Sequence, residues 1–325
     1  MLRLIGKRLL FSIPVILIAS GVVFVVVHRV VNPTAYLALN PRSSAANTQR
    51  LTAALGLNKP LLEQYFVWLR HFFVGDWGTS LISGQAVARS VGTALVNSLI
   101  LGGTALVIAL VIGMAVGTIS AYRQYSAFDN MATGMAFLGL SIPTAFLGLL
   151  LQLLFGVYLV QHLHLNGPLL YISGMSDPGS TSFSFSSLLR HLALPAFVVA
   201  VQILGVYSRY TRSSMLDVLK TDYIRTAKSK GLSSTRILFR HGLRNSMIPL
   251  TTQVALDAGV LVGGLIVTEQ VFQWPGMGTY FITAMNNGDY PQILAWLMVT
   301  VTAVILFNLL ADILYAFLDP RIRYV

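Results

Sequence analysis

The sequence predicts an all-α integral membrane protein with six transmembrane helices. Hydrophobic residues fill 55% of the 325 positions, charged residues fill only 10%, and the mean hydropathy is +0.72. A soluble domain of this length could not bury so much apolar surface. The apolar residues fall into six long stretches, and most Lys and Arg residues fall on one side of them. Because the chain has no cysteine, disulfides and thiolate metal sites are excluded.

Each predicted span is an apolar stretch of helical length. A helix needs about 20 mostly apolar residues to cross roughly 30 Å of hydrocarbon. The six stretches are Leu9–Val27, Leu99–Ala121, Met131–Val160, His191–Tyr207, Met247–Val267 and Gln292–Phe317. The third is overlong and contains Pro143. The first resembles a signal peptide in its basic start, but it is too long and runs into His28-Arg29, so we expect a retained anchor.

The Lys and Arg residues predict the orientation of these spans. With the N-terminus inside, 15 of the 22 lie in inner segments: Arg3, Lys7, Arg8, Arg123, the nine from Arg209 to Arg244, Arg321 and Arg323. Such an excess is typical of cytoplasmic loops, so we expect both termini inside. The net charge of +11 is therefore explained by topology and by a lipid membrane with anionic headgroups, and no nucleic-acid partner is expected.

The spacing of the spans divides the chain in two. We expect residues 1–97 to hold the N-terminal anchor helix and a large extracytoplasmic segment, and residues 98–325 to form a five-helix core with a cytoplasmic loop at 209–246. Within the outer segment, Leu61–Phe73 has an amphipathic helical pattern. Two interpretations are open: a helix lying at the outer membrane interface, or a docking surface for an extracytoplasmic partner.

Sites for chemistry are mostly absent from the sequence. There is no G-x-x-x-x-G-K-[ST] motif, so the chain has no P-loop for ATP. His162 and His164 lack a helix face shared with carboxylates, so no metal site is expected. No Ser/His/Asp arrangement is visible, and no catalytic residue is predicted.

Two acidic residues lie inside predicted spans. A charge in hydrocarbon is costly and normally faces a bundle interior or a watery cavity. Asp257 falls near mid-membrane and is the candidate for the translocation pathway, although an internally paired or hydrogen-bonded acid is an equal alternative. Asp312 falls near the inner interface, where we expect a structural pair. Two small-xxx-small pairs predict close helix packing: Gly113 with Gly117, and Gly259 with Gly263.

The most basic part of the chain is the segment 223–249, which carries six of the 22 Lys and Arg residues. Asp222 can cap a short helix in which Tyr223, Ile224 and Ala227 share one side, and Gly231 ends it. Ser233 or Ser234 then caps a second helix, along which Arg236, Arg240 and Arg244 recur every fourth residue. A helix this short is marginal alone and requires a partner surface. Anionic lipid is the alternative surface.

The same segment, DYIRTAKSKGLSSTRILFRHGLRNSMIPL, resembles the EAA loop of binding-protein-dependent ABC importer permeases, in the form found in the dipeptide/oligopeptide permease B family. Arg225, Thr226 and Ala227 stand at the E-A-A positions, Gly231 at the glycine and Pro249 at the final proline, which comes several residues later than in the general pattern. Further blocks are similar to this family: LGLNKPLLEQYFVWLRHFFVGDWGTSLISGQAV, SIPTAFLGLLL, EQVFQWPGMG, DYP and NLLADILYAFLDPRIR.

This resemblance implies a type I ABC importer permease fold in a bacterial inner membrane. It implies a C-type permease as heterodimer partner, two ABC ATPase subunits or one fused ATPase, and an extracytoplasmic substrate-binding protein. ATP and Mg would be bound by those ATPases, with no cofactor in this chain. The residues implied to couple to the ATPase are Tyr223, Ile224, Arg225, Thr226, Ala227 and Gly231.

The cargo stays open at this point. Members of the family import dipeptides, longer peptides, glutathione or nickel, so the resemblance implies a peptide permease with nickel or glutathione as alternatives. Functions of other classes are an ion-driven carrier or channel, and a membrane scaffold or sensor that transports nothing. A carrier or channel would normally have more ionisable groups in its spans.

Overall fold

The computed structural model describes residues 2–31, 49, 52–53, 56–164, 166–177, 179, 184–233 and 236–318. Within these residues the backbone is almost entirely helical, which confirms the all-α prediction. The helices are α1 (Leu2–Val30), α2 (Leu61–Val74), α3 (Val87–Tyr122), α4 (Ala127–Ser141), α5 (Thr144–Leu153), α6 (Leu159–His162), α7 (Phe185–Leu219), α8 (Asp222–Ser229), α9 (Arg244–Val262), α10 (Ile266–Val271), α11 (Met277–Asn287) and α12 (Tyr290–Leu318). Two π-helical turns, Leu154–Tyr158 and Ile237–Leu243, join α5 to α6 and lead into α9.

Five helical stretches in the described part of the chain are long and apolar enough to cross a membrane. They are Arg8–Val30, Val87–Tyr122, Thr144–His162, Phe185–Leu219 and Tyr290–Leu314. They correspond to the first, second, third, fourth and sixth predicted spans. The chain is therefore a multi-pass membrane protein.

The predicted third span, Met131–Val160, is wrong as one continuous helix. Helix α4 ends at Ser141 and α5 begins at Thr144. Ile142 between them has φ −78° and ψ 122°, because the ring of Pro143 disfavours the helical conformation in the residue before it. Only the second of the two helices, extended through the π-helical turn, has the length of a span.

The predicted fifth span, Met247–Val267, is also interrupted. Its apolar helical part is Pro249–Val262, which is shorter than the other spans. Gly264 then adopts φ +96°, and a Cβ at this position would collide with the backbone of Gly278. The chain therefore turns sharply at Gly264, and the start of α11 packs closely against this turn.

Close helix contacts at glycine form the centre of the fold, as predicted. A Cβ on Gly113 of α3 would lie 2.9 Å from the Cβ of Tyr207 in α7. On the other side of the bundle, a Cβ on Gly259 of α9 would lie 3.0 Å from the Cβ of Phe307 in α12. Both predicted small-xxx-small pairs therefore bring helices together. The predicted structural pair of Asp312 is confirmed as well, since Arg8 Nη1 lies 2.7 Å from Asp312 Oδ2.

Helix α2 of the outer segment packs on α1. The rings of Tyr65 and Trp68 lie 5.6 Å and 5.3 Å from the ring of the buried Phe24, and Tyr65 Oη is 2.7 Å from Ser20 Oγ. The predicted amphipathic helix is confirmed. Its aromatic side is partly covered by α1, with Tyr65, Trp68 and Phe72 half-buried.

Candidate coupling segment and pathway

Helix α8 forms the predicted short helix of the basic segment. Thr221 is its N-cap residue, without a side-chain capping bond, and Asp222 is its first helical residue. The predicted cap at Asp222 is therefore wrong by one position, although its carboxylate still lies where the helix dipole favours negative charge. Gly231 adopts φ +74° as predicted, and its N–H donates to Lys228 O at 2.9 Å. This left-handed turn ends α8.

The apolar side of α8 packs against its own chain. Ile224 is 0% exposed and Ala227 is 7% exposed, and both contact Ile237 of the π-helical turn. Val218, Leu219 and Leu232 complete this small cluster. A helix this short was predicted to need a partner surface. Its apolar side finds that surface within the same chain, and these buried contacts fix α8 to the permease. The reason is that the second helical segment folds back over the first.

A polar contact joins α8 to α9 as well. Asn245 Nδ2, in the first turn of α9, donates to Tyr223 Oη at 2.8 Å across 22 residues of sequence. The ring of Tyr223 is otherwise exposed. Tyr223 thus joins α8 to the start of α9, and Ile224 joins it to the π-helical turn.

The opposite side of α8 faces outward and is cationic. The Arg225 side chain is 77% exposed and lies 3.3 Å from Asp222, a contact that holds little energy at such exposure. Thr226, Lys228 and Ser229 are also exposed. The two hydroxyls donate to carbonyls one turn earlier, Thr226 to Asp222 O and Ser229 to Arg225 O. The exposed surface of α8 therefore includes a small patch of Lys and Arg side chains.

The second basic helix differs from the prediction in its geometry. Residues Ile237–Leu243 are π-helical, so residues four apart do not share one stripe as they would in an α-helix. Arg236, Arg240 and Arg244 are all exposed nevertheless. Ser233 Oγ accepts the N–H of Arg236 at 3.4 Å, as the sequence predicted for one of the two capping serines, and Ser234 lies outside the described residues.

Asp257 lies in a cavity of about 450 Å³ between α5, α7, α9 and α10. Tyr207 Oη donates to its Oδ2 at 2.9 Å, and Gln253 Nε2 donates to its Oδ1 at 2.9 Å. The acid is therefore hydrogen-bonded internally, as the alternative interpretation predicts, and it also lines a cavity. The two bonds satisfy oxygens of an acid that would be costly to leave without partners at this depth.

The rest of the polar lining comes from other helices. Gln202 Nε2 of α7 donates to Thr144 Oγ1 of α5 at 2.6 Å, on a wall that is otherwise made mostly of Val, Leu and Ile. Gln253 was detectable in the sequence, because it precedes Asp257 by one helical turn and shares its face. Tyr207, Gln202 and Thr144 were missed, since nothing in the sequence indicates which helices α9 meets.

An ion pair and its hydrogen bonds join α3, α4 and α7. Arg212 of α7 donates from Nε and Nη2 to both carboxylate oxygens of Asp129, each at 2.7 Å. Asp129 is 1% exposed and also accepts from Ser120 Oγ at the end of α3. Removing one partner of such a buried bidentate pair would leave an uncompensated charge. The sequence reading assigned Arg212 to the basic inner loop and did not find this bridge.

Comparison with known proteins accounts for nearly the whole chain. Residues 109–324 match the family described as binding-protein-dependent transport system inner membrane component, and residues 1–101 match its N-terminal family. The oligopeptide transport system permease protein AppB of Bacillus subtilis is 38% identical over 319 residues, with 98% of each chain covered. The glutathione transport system permease protein GsiC of Escherichia coli K12 is 36% identical over 324 residues, and the dipeptide transport system permease protein DppB of Alkalihalophilus pseudofirmus is 34% identical over 334 residues, with both chains fully covered in each case.

Proposed function

This chain belongs to the family of binding-protein-dependent transport system inner membrane components, and on that premise we propose that it forms half of the translocation pathway for short peptides. It is a multi-pass permease subunit of an ABC importer in a bacterial inner membrane. Two of the three relatives compared above are named for oligopeptide and dipeptide transport, which supports peptides as cargo. A binding protein outside the membrane delivers the peptide to the permease.

The attachment of α8 to α9 carries the mechanical part of this proposal. The exposed cationic side of α8, from Arg225 to Ser229, docks in a groove of a partner ATPase. Ile224 and the bond between Tyr223 and Asn245 pass the movement of α8 to α9. Helix α9 carries Gln253 and Asp257 into the cavity, so closure of the ATPases changes the shape of the pathway.

The remaining partners of the proposal follow from the family of the chain. ATP and Mg bind to two ABC ATPase subunits or to one fused ATPase, and the sequence of this chain contains no P-loop motif. A C-type permease covers the exposed apolar side chains beside the cavity, namely Val260 and Val267. In this arrangement residues 98–325 are the permease core, with the coupling loop at 209–246, and residues 1–97 add the anchor and the outer segment.

A crosslinking experiment tests the docking side of α8. Because the chain has no cysteine, single cysteines can be placed at the neighbouring positions Thr226, which is exposed, and Ala227, which is buried. Thr226→Cys should form a disulfide with a cysteine in the ATPase groove, and the trap should block ATP-driven uptake. Ala227→Cys, buried against Ile237, is the matched control and should not crosslink. Crosslinking of Ala227→Cys alone would reverse the assignment of the two sides.

Glutathione is the second candidate cargo, because a relative named for glutathione transport matches the full chain at 36% identity. Purification of the complete transporter with its binding protein, followed by mass spectrometry of the bound ligand, separates the two cargoes. Reconstitution separates both from an ion-driven carrier, since only an ABC importer requires ATP and the ATPase subunits for uptake.

A further inference from the structure

A second cavity, of about 480 Å³, opens at the outer ends of α3 and α11, and we call it the outer pocket. It lies on the side where the outer segment enters the membrane core, away from the cavity that contains Asp257. Hydroxyl and amide side chains dominate its lining: Ser83, Ser90, Thr93, Thr283, Asn287 and Gln292. Such groups can donate and accept hydrogen bonds and suit a ligand with a peptide-like backbone.

The floor of the outer pocket is rigid because a buried network holds α3 against the loop before α11. Ser98 Oγ accepts the N–H of Met277 and donates to Glu269 Oε1, both at 2.7 Å. Glu269, which is 0% exposed, also accepts the N–H groups of Leu265 and Thr279 at 3.0 Å. The pocket is therefore formed before any ligand arrives, which lowers the cost of binding.

The wall from the outer segment is fixed to the same core. Ser80 donates to Asp289 Oδ2 at 2.5 Å, although 209 positions separate the two residues. Asp289 is 1% exposed, and its Oδ1 has no hydrogen-bond partner among the described residues. This carboxylate supports the wall. It belongs to the pocket lining but is buried, so its charge is less accessible to a ligand than the charge of an exposed side chain.

Among the described residues, Arg89 is the only Lys or Arg that lines the outer pocket. Its side chain is exposed, and within the described part of the chain its guanidinium has no hydrogen bond or ion pair. Besides Arg89, the titratable groups of the lining are the buried Asp289 and Tyr280, whose hydroxyl is buried. An unpaired guanidinium among hydroxyl and amide groups favours a carboxylate, which it can bind through two parallel hydrogen bonds.

We propose that the outer pocket receives the free carboxylate of the transported peptide, with Arg89 as its cation, before the peptide passes to the Asp257 cavity. This proposal rests on the proposed function for the identity of the ligand as a peptide. The hydroxyl and amide groups take the peptide backbone, and Arg89 fixes the end of the chain. Peptides whose C-terminus is amidated lose the interaction with Arg89.

Electrostatic labelling tests the pocket without relying on transport. In the complete transporter, Thr283→Cys places one exposed thiol in the pocket of a chain that has no cysteine. An anionic methanethiosulfonate, the sulfonatoethyl reagent, should label it faster than the cationic trimethylammonioethyl reagent. Adding Arg89→Gln should lower this preference by roughly threefold or more at low ionic strength. Arg89→Lys should keep the preference, and so should Arg70→Gln, which removes an exposed outer cation that does not line the pocket.

Protection by a ligand supplies the second readout. A tripeptide with a free carboxylate should slow the labelling of Thr283→Cys, whereas the same tripeptide with an amidated C-terminus should not. Equal protection by the two peptides, or an unchanged reagent preference in Arg89→Gln, overturns the proposal. If labelling and protection come out as expected but the unaltered transporter shows no ATP-driven peptide uptake, the carboxylate site stands and the proposed peptide cargo fails.

Discussion

Replacing Ile224 by alanine tests whether the buried contacts of this side chain couple the ATPase to the pathway. Ile224 is 0% exposed and packs with Ile237 in a cluster of six apolar residues. Truncation of a fully buried isoleucine costs about 2–5 kcal/mol in a packed core. Helix α8 has only eight residues and little stability of its own, so most of this cost falls on its attachment.

The expected magnitude follows from that cost. A loss of about 3 kcal/mol raises the open fraction of a local equilibrium about a hundredfold, since each 1.4 kcal/mol is a factor of ten. Ile224→Val removes one methyl group, costs about 1 kcal/mol and should raise the open fraction only several-fold. Hydrogen exchange of the backbone amides of residues 222–231, measured in the assembled transporter, reports this opening.

The functional readout is the number of peptides taken up per ATP hydrolysed. Ile224→Ala should lower this ratio strongly while ATP hydrolysis continues, because the ATPase moves a helix that no longer pulls on α9. Ile224→Val, which keeps most of the packing, is the matched control and should retain most of the ratio. Faster hydrogen exchange in Ile224→Ala with an unchanged number of peptides per ATP would show that coupling does not depend on the contacts of Ile224. Unchanged hydrogen exchange would show that the packing argument is wrong.

Three further predictions concern the turn, the cavity and the topology. Gly231→Val should weaken coupling without affecting membrane insertion, because a non-glycine residue at φ +74° costs about 1–2 kcal/mol; Gly231→Asn, which tolerates this conformation, should retain uptake. Asp257→Leu should lower ATP-driven uptake several-fold at equal expression, because it leaves the Tyr207 hydroxyl without its acceptor. Asp257→Asn keeps an acceptor and therefore separates the effect of the hydrogen bond from the effect of the charge. Normal uptake by the leucine variant would exclude a role for Asp257 in the pathway. An impermeant thiol reagent applied from outside should label Ser83→Cys but not Ser229→Cys, both of which are exposed, and the reverse pattern would overturn the orientation.

Local features of the basic segment were predictable because they depend on neighbouring residues. The glycine stop at Gly231 needs only the intrinsic freedom of glycine, and the structure confirms it. The helix Asp222–Ser229 follows from an apolar pair three residues apart at Ile224 and Ala227. What covers that pair was not predictable, since Ile237 returns to it only because the chain reverses after Gly231.

Interruptions of the spans were harder to predict than the spans themselves. Hydropathy averages over a window, so it joins α4 to α5 across Pro143 and carries the fifth span through Gly264. The proline break was visible in the sequence as a Pro within an overlong stretch. The break at Gly264 is set by a tertiary contact with the backbone of Gly278, which no local pattern indicates.

The polar contacts that matter most join residues far apart in sequence. Tyr207 reaches Asp257 across 50 positions, and Ser80 reaches Asp289 across 209. Sequence reasoning could identify Asp257 as unusual because a buried charge is costly, but it could not supply the donor that makes the position tolerable. The contact of Tyr207 lies at the Asp257 cavity, and the contact of Ser80 lies at the outer pocket, so each stabilises one end of the route proposed for the peptide.

The proposed cycle requires that these ends respond to the ATPase to different degrees. The outer pocket is held by buried bonds from Ser98 and Glu269, and none of its lining residues belongs to α8 or α9. The Asp257 cavity has Gln253 and Asp257 on α9, which is joined to α8 through Tyr223. In the proposed cycle, a movement of the ATPase acts first on the Asp257 cavity and leaves the outer pocket shaped to receive the next substrate. Among the described residues, α9 combines a connection to α8 with cavity hydrogen bonds that can rearrange during this cycle.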